Sequence, residues 1–191
     1  MRRHLFPSLF LLAACTLPAA ASSSETAMRT LITFDGGPAD PRWVAVNDGV
    51  MGGLSRGGPT RVDGQLQFRG ELSLANNGGF SSVRTLGADY DFSGVSAVVL
   101  RVRGDGRPYQ LRMATTARFR GMAVSYAGEF ATEAGQWIEV RVPLAALVPT
   151  VRGFRLDGPP LDPSRIREIG LLIADQREGA FALDVDWIGL E

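Results

Sequence analysis

The chemistry open to this chain is set by which side chains it carries. Its one histidine, His4, and its one cysteine, Cys15, both fall within the first fifteen residues, and no lysine occurs, so all 20 cations are arginines. Serine and cysteine nucleophiles ordinarily need an imidazole or a lysine as base. Zinc sites need histidine or cysteine in nearly every case. The glycine-rich stretches Gly49–Gly53 and Gly57-Gly58 carry no Walker lysine, and no G-x-G-x-x-G follows a strand. Two designs survive this inventory. One is a carboxylate pair about 5–9.5 Å apart for glycoside chemistry, and the other is an oxygen-ligated calcium site. The calcium candidates are Asp35, at the end of the first strand, with Asp184 and Asp186 in the last; ordinary solvated acids are the plain alternative. No catalytic residue, resident metal or cofactor is expected, and the chain reads as a binding module.

Two runs stand out as candidate binding segments. The first, Trp43 to Ser55, contains Asn47-Asp48-Gly49-Val50-Met51-Gly52-Gly53. Asn-Asp-Gly makes turns, and paired glycines allow positive φ or close backbone approach. The segment is expected to be a loop plugging one end of the fold, with Trp43, Val50 and Met51 buried beneath it. The second run, Asn76-Asn77-Gly78-Gly79-Phe80-Ser81-Ser82-Val83-Arg84, leads from a turn into a strand. The asparagine amides at positions 47, 76 and 77 could read a polar ligand or satisfy loop backbone, and Asp48 belongs with them. Arginines supply the cations. If Asp105-Gly106-Arg107-Pro108 closes a hairpin, Arg103 pairs with Gln110 and Arg101 with Arg112. Like charges opposed across strands are unfavourable, so an acid (Glu129, Glu139 or Asp175) or an anionic or hydroxylated ligand should lie beside them. On that reading Arg84, Arg101 and Arg112 line a polar concave face. Trp137 is the best ring for stacking on a sugar, because alternation turns it away from Ile138 and Val140; Trp43 and Tyr109 are weaker candidates.

These residues need short strands to position them. From Thr30 to Glu191 the chain alternates β-rich runs with Gly, Pro, Asp and Asn. The clearest are 31–34, 60–68, 80–86, 97–103, 109–115, 122–130, 137–142, 169–174 and 181–190. Asp63-Gly64 suits a tight two-residue hairpin turn. Val98, Leu100 and Val102 point one way and Arg101 and Arg103 the other. In the last strand Phe181, Leu183, Val185 and Trp187 share a face opposite Asp184 and Asp186. A period of two means sheets with one face in a core. One short helical turn is expected near Asp162–Ile166, with Pro163 at its first position. The architecture that fits is an all-β, jelly-roll or Greek-key β-sandwich of two antiparallel sheets, ahead of a closed barrel.

The first 21 residues read as an export signal. Arg2 and Arg3 precede an apolar stretch too short to span a bilayer, and Ala19-Ala20-Ala21 offers a processing site. Leu12-Ala13-Ala14-Cys15 alternatively matches a lipobox, with Cys15 the lipidated residue. Residues 22–29 form a polar linker, and 30–191 the domain. Loss of Arg2 and Arg3 leaves 18 basic against 20 acidic side chains, a balance that argues against nucleic-acid binding. The expected address is the periplasm, or the outer membrane as a lipoprotein, with membrane contact only through an N-terminal lipid.

With the runs Asn47–Ser55, Phe68–Arg84, Leu100–Gly106, Gly170–Asp175 and Asp186–Ile188 in this order, residues 31–190 closely resemble the complex I intermediate-associated protein 30 domain family. The resemblance implies a galactose-binding-like jelly roll. It also implies a non-catalytic, chaperone-like module that binds protein, since the family's mitochondrial members assist assembly of respiratory complex I. Carbohydrate binding is the alternative that this fold and an exported address allow.

Overall fold

The computed structural model describes residues 28–37, 40–87 and 89–191. The expected leader, Cys15 and the linker up to residue 27 lie outside the described residues. Among the described residues, thirteen strands form two antiparallel sheets. One contains β1 (Arg29–Ile32), β3 (Arg56–Val62), β4 (Gln65–Leu72), β6 (Ala97–Gly104), β9 (Trp137–Pro143) and β13 (Gly179–Leu190), ordered β3-β4-β13-β6-β9 with β1 also on β13. The other contains β2 (Arg42–Ala45), β5 (Ser81–Leu86), β7 (Tyr109–Phe119), β8 (Met122–Phe130), β10 (Val148–Val151), β11 (Phe154–Arg155) and β12 (Glu168–Ile173), ordered β11-β10-β8-β7-β12-β5-β2. The expected all-β sandwich is what forms. Strands β2, β10 and β11 were not anticipated, because Arg-Trp-Val-Ala, Val-Pro-Thr-Val and Phe-Arg carry no clean alternation.

Alternation builds the core. Leu66, Phe68, Val98, Leu100, Val102, Leu183 and Val185 from the six-stranded sheet meet Tyr109, Leu111, Met113, Tyr126, Ile169, Leu171 and Ile173 from the seven-stranded one, all buried. Trp43 and Tyr109, weighed as sugar-facing rings, belong to this core. Asp63 and Gly64 take φ of 50° and 73° between Val62 and Gln65, the tight hairpin expected of them. The turn at Pro163–Arg165 is a single 3-10 turn, capped by Asp162 accepting the Ser164 N–H.

Three expectations about faces are corrected. Asp105–Pro108 is not a hairpin turn. It carries the chain from β6 in one sheet to β7 in the other, so Arg103 pairs with Trp137 and Asp184, and Arg101 does not oppose Arg112. The crossing is fixed by Arg107, a residue only 6% exposed, whose guanidinium donates to Asp175 at 2.6 and 2.9 Å and to the Ala180 carbonyl at 2.9 Å, and also reaches the Arg177 carbonyl. Asp105 accepts the Ala182 N–H at 2.8 Å and the Tyr109 hydroxyl at 3.1 Å. Second, β13 has an irregularity between Val185 and Trp187. One extra residue resets the alternation, so Ile188 and Leu190 take the core side and Trp187 leaves the face of Val185. Third, Val50 and Met51 are not buried under the 43–55 segment but stand 73% and 59% exposed.

Candidate functional site

The outward face of the seven-stranded sheet carries a cleft of about 880 Å³. Its floor can be read from strand register, because residues paired across antiparallel strands point to the same side. One row runs Val44–Arg84–Gly170–Arg112–Ala127–Val148 across β2, β5, β12, β7, β8 and β10. A second runs Leu172–Gln110–Glu129 with Ser82 beside it, and a third runs Glu168–Ala114–Ser125–Thr150. Val46, Val50, Met51 and Asn77 to Phe80 wall one end of the cleft, and Arg152 and Gly153 line it beyond β10. On β5, Ser81, Val83 and Thr85 are buried on the core side, while Ser82, itself nearly covered, and Arg84 line the cleft.

Arg112 is the centre of the floor. Its Nε donates to Ser125 Oγ at 3.1 Å, Nη1 to Gln110 Oε1 at 3.1 Å and Nη2 to Thr150 Oγ1 at 2.8 Å. All three partners are neutral. Burial, and then the nearby Arg84 charge, pull its pKa down to about 10, against the opposing effect of Glu168. Arg84 pairs with Glu168 at 3.4 Å and reaches Ser82 at 3.4 Å. Burial raises the Glu168 carboxyl above its ordinary range, and the two arginines offset only part of that. Gly170 separates Arg84 from Arg112, and a Cβ there would fall 3.3 Å and 3.7 Å from their Cβ atoms and 2.9 Å from the Val83 carbonyl. A side chain at 170 would fill the gap, so the glycine leaves bare strand backbone between two guanidinium groups.

The wall is built by Asp48, which is fully buried. Its carboxylate accepts the Ser55 N–H at 2.9 Å, the Ser55 hydroxyl at 2.5 Å, the Gly79 N–H at 2.7 Å and the Phe80 N–H at 3.3 Å. Burial alone would raise its pKa; these bonds more than offset that and hold it below the ordinary carboxyl value. Asn47 donates to the Gly57 carbonyl at 2.9 Å and accepts the Ser81 hydroxyl at 2.7 Å, and Asn76 donates to the Gly52 carbonyl at 3.2 Å. Asn76 and Asn77 both take positive φ. So Asn47, Asp48 and Asn76 shape the wall, and Met51 and Asn77 line the cleft.

The remaining candidates lie elsewhere. Arg101 sits on the outer face of the other sheet, 3.4 Å from Asp186. Trp137 is there too, half-buried under Arg103 and Arg101 at 4.9 and 5.9 Å from its ring centre, so the ring is occupied by cations. Asp184 accepts from Arg69 at 2.8 Å and Arg103 at 2.8 Å, while Asp35 accepts the Gly37 N–H. Among the described residues no cluster of three or more potential metal ligands forms, and the three calcium candidates are not brought together. Gln110, Ser125, Thr150, Glu168 and Gly170 were not anticipated; a glycine inside the apolar alternation of β12 was the one usable signal.

A family model described as complex I intermediate-associated protein 30 (CIA30) matches residues 32–185. The mitochondrial complex I intermediate-associated protein 30 of Mus musculus is 32% identical over 105 residues, which are 53% of this chain and 32% of that protein. This chain therefore matches about a third of the length of that relative. Among solved structures, the family 11 carbohydrate-binding module of the cellulase Lic26A-Cel5E from Clostridium thermocellum superposes with a TM-score of 0.64 at 14% identity, covering 86% of this chain and 94% of that one. A second structure of a Clostridium thermocellum family 11 module, in complex with a β-1,3-1,4-mixed-linked tetrasaccharide, gives 0.62 at 15% identity, covering 85% and 94%. At such identity the likeness fixes the galactose-binding-like sandwich alone. The Asp48-anchored wall and the cleft floor fall inside the matched span, and the chain belongs to the complex I intermediate-associated protein 30 family.

Proposed function

We propose that this protein is a non-catalytic binding module that holds a partner polypeptide in the cleft on its seven-stranded sheet, in the manner of an assembly factor. The observation that carries this reading is the pairing of a charged floor with an apolar rim: Arg84, Arg112 and Glu168 below, Val50 and Met51 standing out at one end. Exposed apolar side chains rimmed by polar groups suit a protein interface. Family membership supports the same class of role. Glycoside hydrolysis needs two carboxylates across a cleft; among the described residues the one acid lining this cleft, Glu168, is tied to Arg84. We further propose that the protein works on the exported side of the cell envelope, as its N-terminal sequence suggests. Mass spectrometry of the mature N-terminus tests the address.

A photo-crosslinking residue at position 51, compared with one at exposed Glu139 on the opposite sheet, tests the binding face in the producing cell. A discrete crosslinked protein from position 51 only, lost on Val50→Asp, is the expected result. Equal labelling from both positions overturns the reading. Carbohydrate binding is the second reading, favoured by the likeness to carbohydrate-binding modules and by the polar floor of Gln110, Ser125 and Thr150. Its weakness is the lining, where Phe80 is the one aromatic ring among the described residues. A glycan array with no signal removes it.

A further inference from the structure

The Arg84–Gly170–Arg112 row points to what the partner must carry. The cleft lining holds Arg84, Arg112 and Arg152 against one carboxylate among the described residues, Glu168, a positive excess; Glu129, exposed on the same sheet face at the end of the Gln110 row, lies outside that lining. Glu168 is committed to Arg84. Among the described residues, Arg112 makes no ion pair, and its three hydrogen bonds go to neutral oxygens. A guanidinium has five N–H donors, so two remain for a ligand. Burying such a charge without an anion is costly, and the cost is recovered when a carboxylate completes the pair. Gly170 makes room for it, because no side chain stands between the two arginines. The apolar rim at Val50 and Met51 lies in the same cleft, so one extended segment could place a carboxylate over Arg112 and an apolar side chain against the rim.

We propose that the cleft recognises a carboxylate on an extended, otherwise apolar segment of the partner protein, with Arg112 as its principal contact and Arg84 as a second cation shared with Glu168. This inference rests on the binding reading above and adds the chemistry of the ligand. The carboxylate can come from an acidic side chain or from a chain terminus, and the probes separate the two.

The test uses fluorescence polarisation with three labelled nonapeptides of alternating Val and Ala: amidated with a central Glu, amidated with a central Gln, and central Gln with a free C-terminus. Either carboxylate peptide is expected to bind at least about tenfold more tightly than the amidated Gln peptide, as a charge-assisted contact implies. Whichever of the two binds more tightly identifies the source. Arg112→Gln should erase the difference while the unfolding midpoint stays within a few degrees of wild type. Arg112→Lys, which keeps the charge and loses the fork, should retain part of it. Glu168→Gln, which frees Arg84, should tighten the carboxylate peptide several-fold. Equal binding of all three peptides, absence of binding by any, or a preference untouched by Arg112→Gln overturns the proposal. So does Arg112-dependent binding of polygalacturonate without peptide binding, which would make the ligand an acidic polysaccharide. If the crosslink from position 51 survives Arg112→Gln undiminished, this inference falls and the protein-binding reading stands.

Discussion

The Asp48 carboxylate accepts the Gly79 N–H at 2.7 Å across 31 residues of sequence, joining the loop after β2 to the turn before β5. The same carboxylate holds Ser55, and a Cβ at Gly53 would come within 2.4 Å of its Cγ and one at Gly78 within 2.7 Å of its Oδ2. Gly53 and Gly78 are therefore packing requirements: their own N–H groups go to the Asp48 and Ala75 carbonyls, but a side chain at either would push aside the backbone that lets Ser55, Gly79 and Phe80 donate to the acid. What reads in the sequence as a glycine-rich binding loop is a clamp around one side chain, and that clamp places Met51 and Asn77 at the cleft.

Asp48→Asn should be strongly destabilising. An amide nitrogen facing the Gly79 and Phe80 N–H groups leaves buried donors unpaired, a loss of about 3 kcal/mol. The pH dependence follows from the sign of the shift. Asp48 titrates below its ordinary value when folded, so its stabilisation is fully present above the unfolded carboxyl pKa and is lost as pH falls through the folded one. Urea unfolding of wild type and variant should differ most near neutral pH, and the difference should shrink as pH falls below the ordinary carboxyl range and through the folded pKa of Asp48.

Arg107 and Asp175 carry a second prediction. Their side chains are 7% and 4% exposed; burial pushes the Asp175 carboxyl up, but the hydrogen bonds and charges of Arg107 and Arg177 together outweigh it and hold the pKa below its ordinary value. Arg107→Met should cost roughly 3–5 kcal/mol, because it strands the acid. The double variant Arg107→Met/Asp175→Leu should cost less than Arg107→Met alone, since no charge then remains buried. Denaturant midpoints of the two variants decide this.

How much of this could be read beforehand depends on how far each signal reaches. Local alternation placed the core faces of β6 and β9, and Asp63-Gly64 placed a hairpin, because those features are decided within a few residues. Asp105–Pro108 has the length and composition of a hairpin loop as well, and nothing local distinguishes a hairpin from a crossing between sheets. The decision is made by Arg107 finding Asp175 68 residues away. The reversal at Trp187 comes from one extra residue in β13, which no period of two can announce. At the site, Arg84 and Arg112 were legible as cations on outward faces, yet their adjacency depends on β12 inserting Gly170 between them. Arg101 was assigned to the same face through the hairpin that does not exist.

Calcium provides a third test. Asp184 is 4% exposed and lies between Arg69 and Arg103, so two guanidinium groups already neutralise the acid that a cation would need. Neither millimolar calcium nor a chelator should move the melting temperature of the purified protein. Asp184→Asn should instead cost on the order of 2 kcal/mol, through weakened charge-assisted hydrogen bonds. A calcium-dependent rise in melting temperature that Asp184→Asn removes would show that the arginines yield to an ion.

Gly57 and Gly58 are neighbours in β3 with opposite surroundings, and they separate packing from family pattern. A Cβ at Gly57 would meet Ser81 Oγ at 2.3 Å and Phe181 Cζ at 2.6 Å, both between the sheets, whereas one at Gly58 would meet only the Ala45 Cβ at an ordinary 3.8 Å. Ser81 cannot turn away freely, since its hydroxyl donates to Asn47. Gly57→Ala should therefore displace Ser81 and loosen Asn47, with an overpacking cost of about 2 kcal/mol. Gly58→Ala has no such obstacle and removes conformational freedom from the unfolded chain, so it should leave stability unchanged or raise it by about 0.5 kcal/mol. Because Asn47 precedes Asp48 directly, Gly57→Ala should also make the Met51 loop more accessible to limited proteolysis, and Gly58→Ala should not. Equal destabilisation by the two alanines would mean that β3 responds to the loss of any glycine and that contact with Ser81 does not govern the wall.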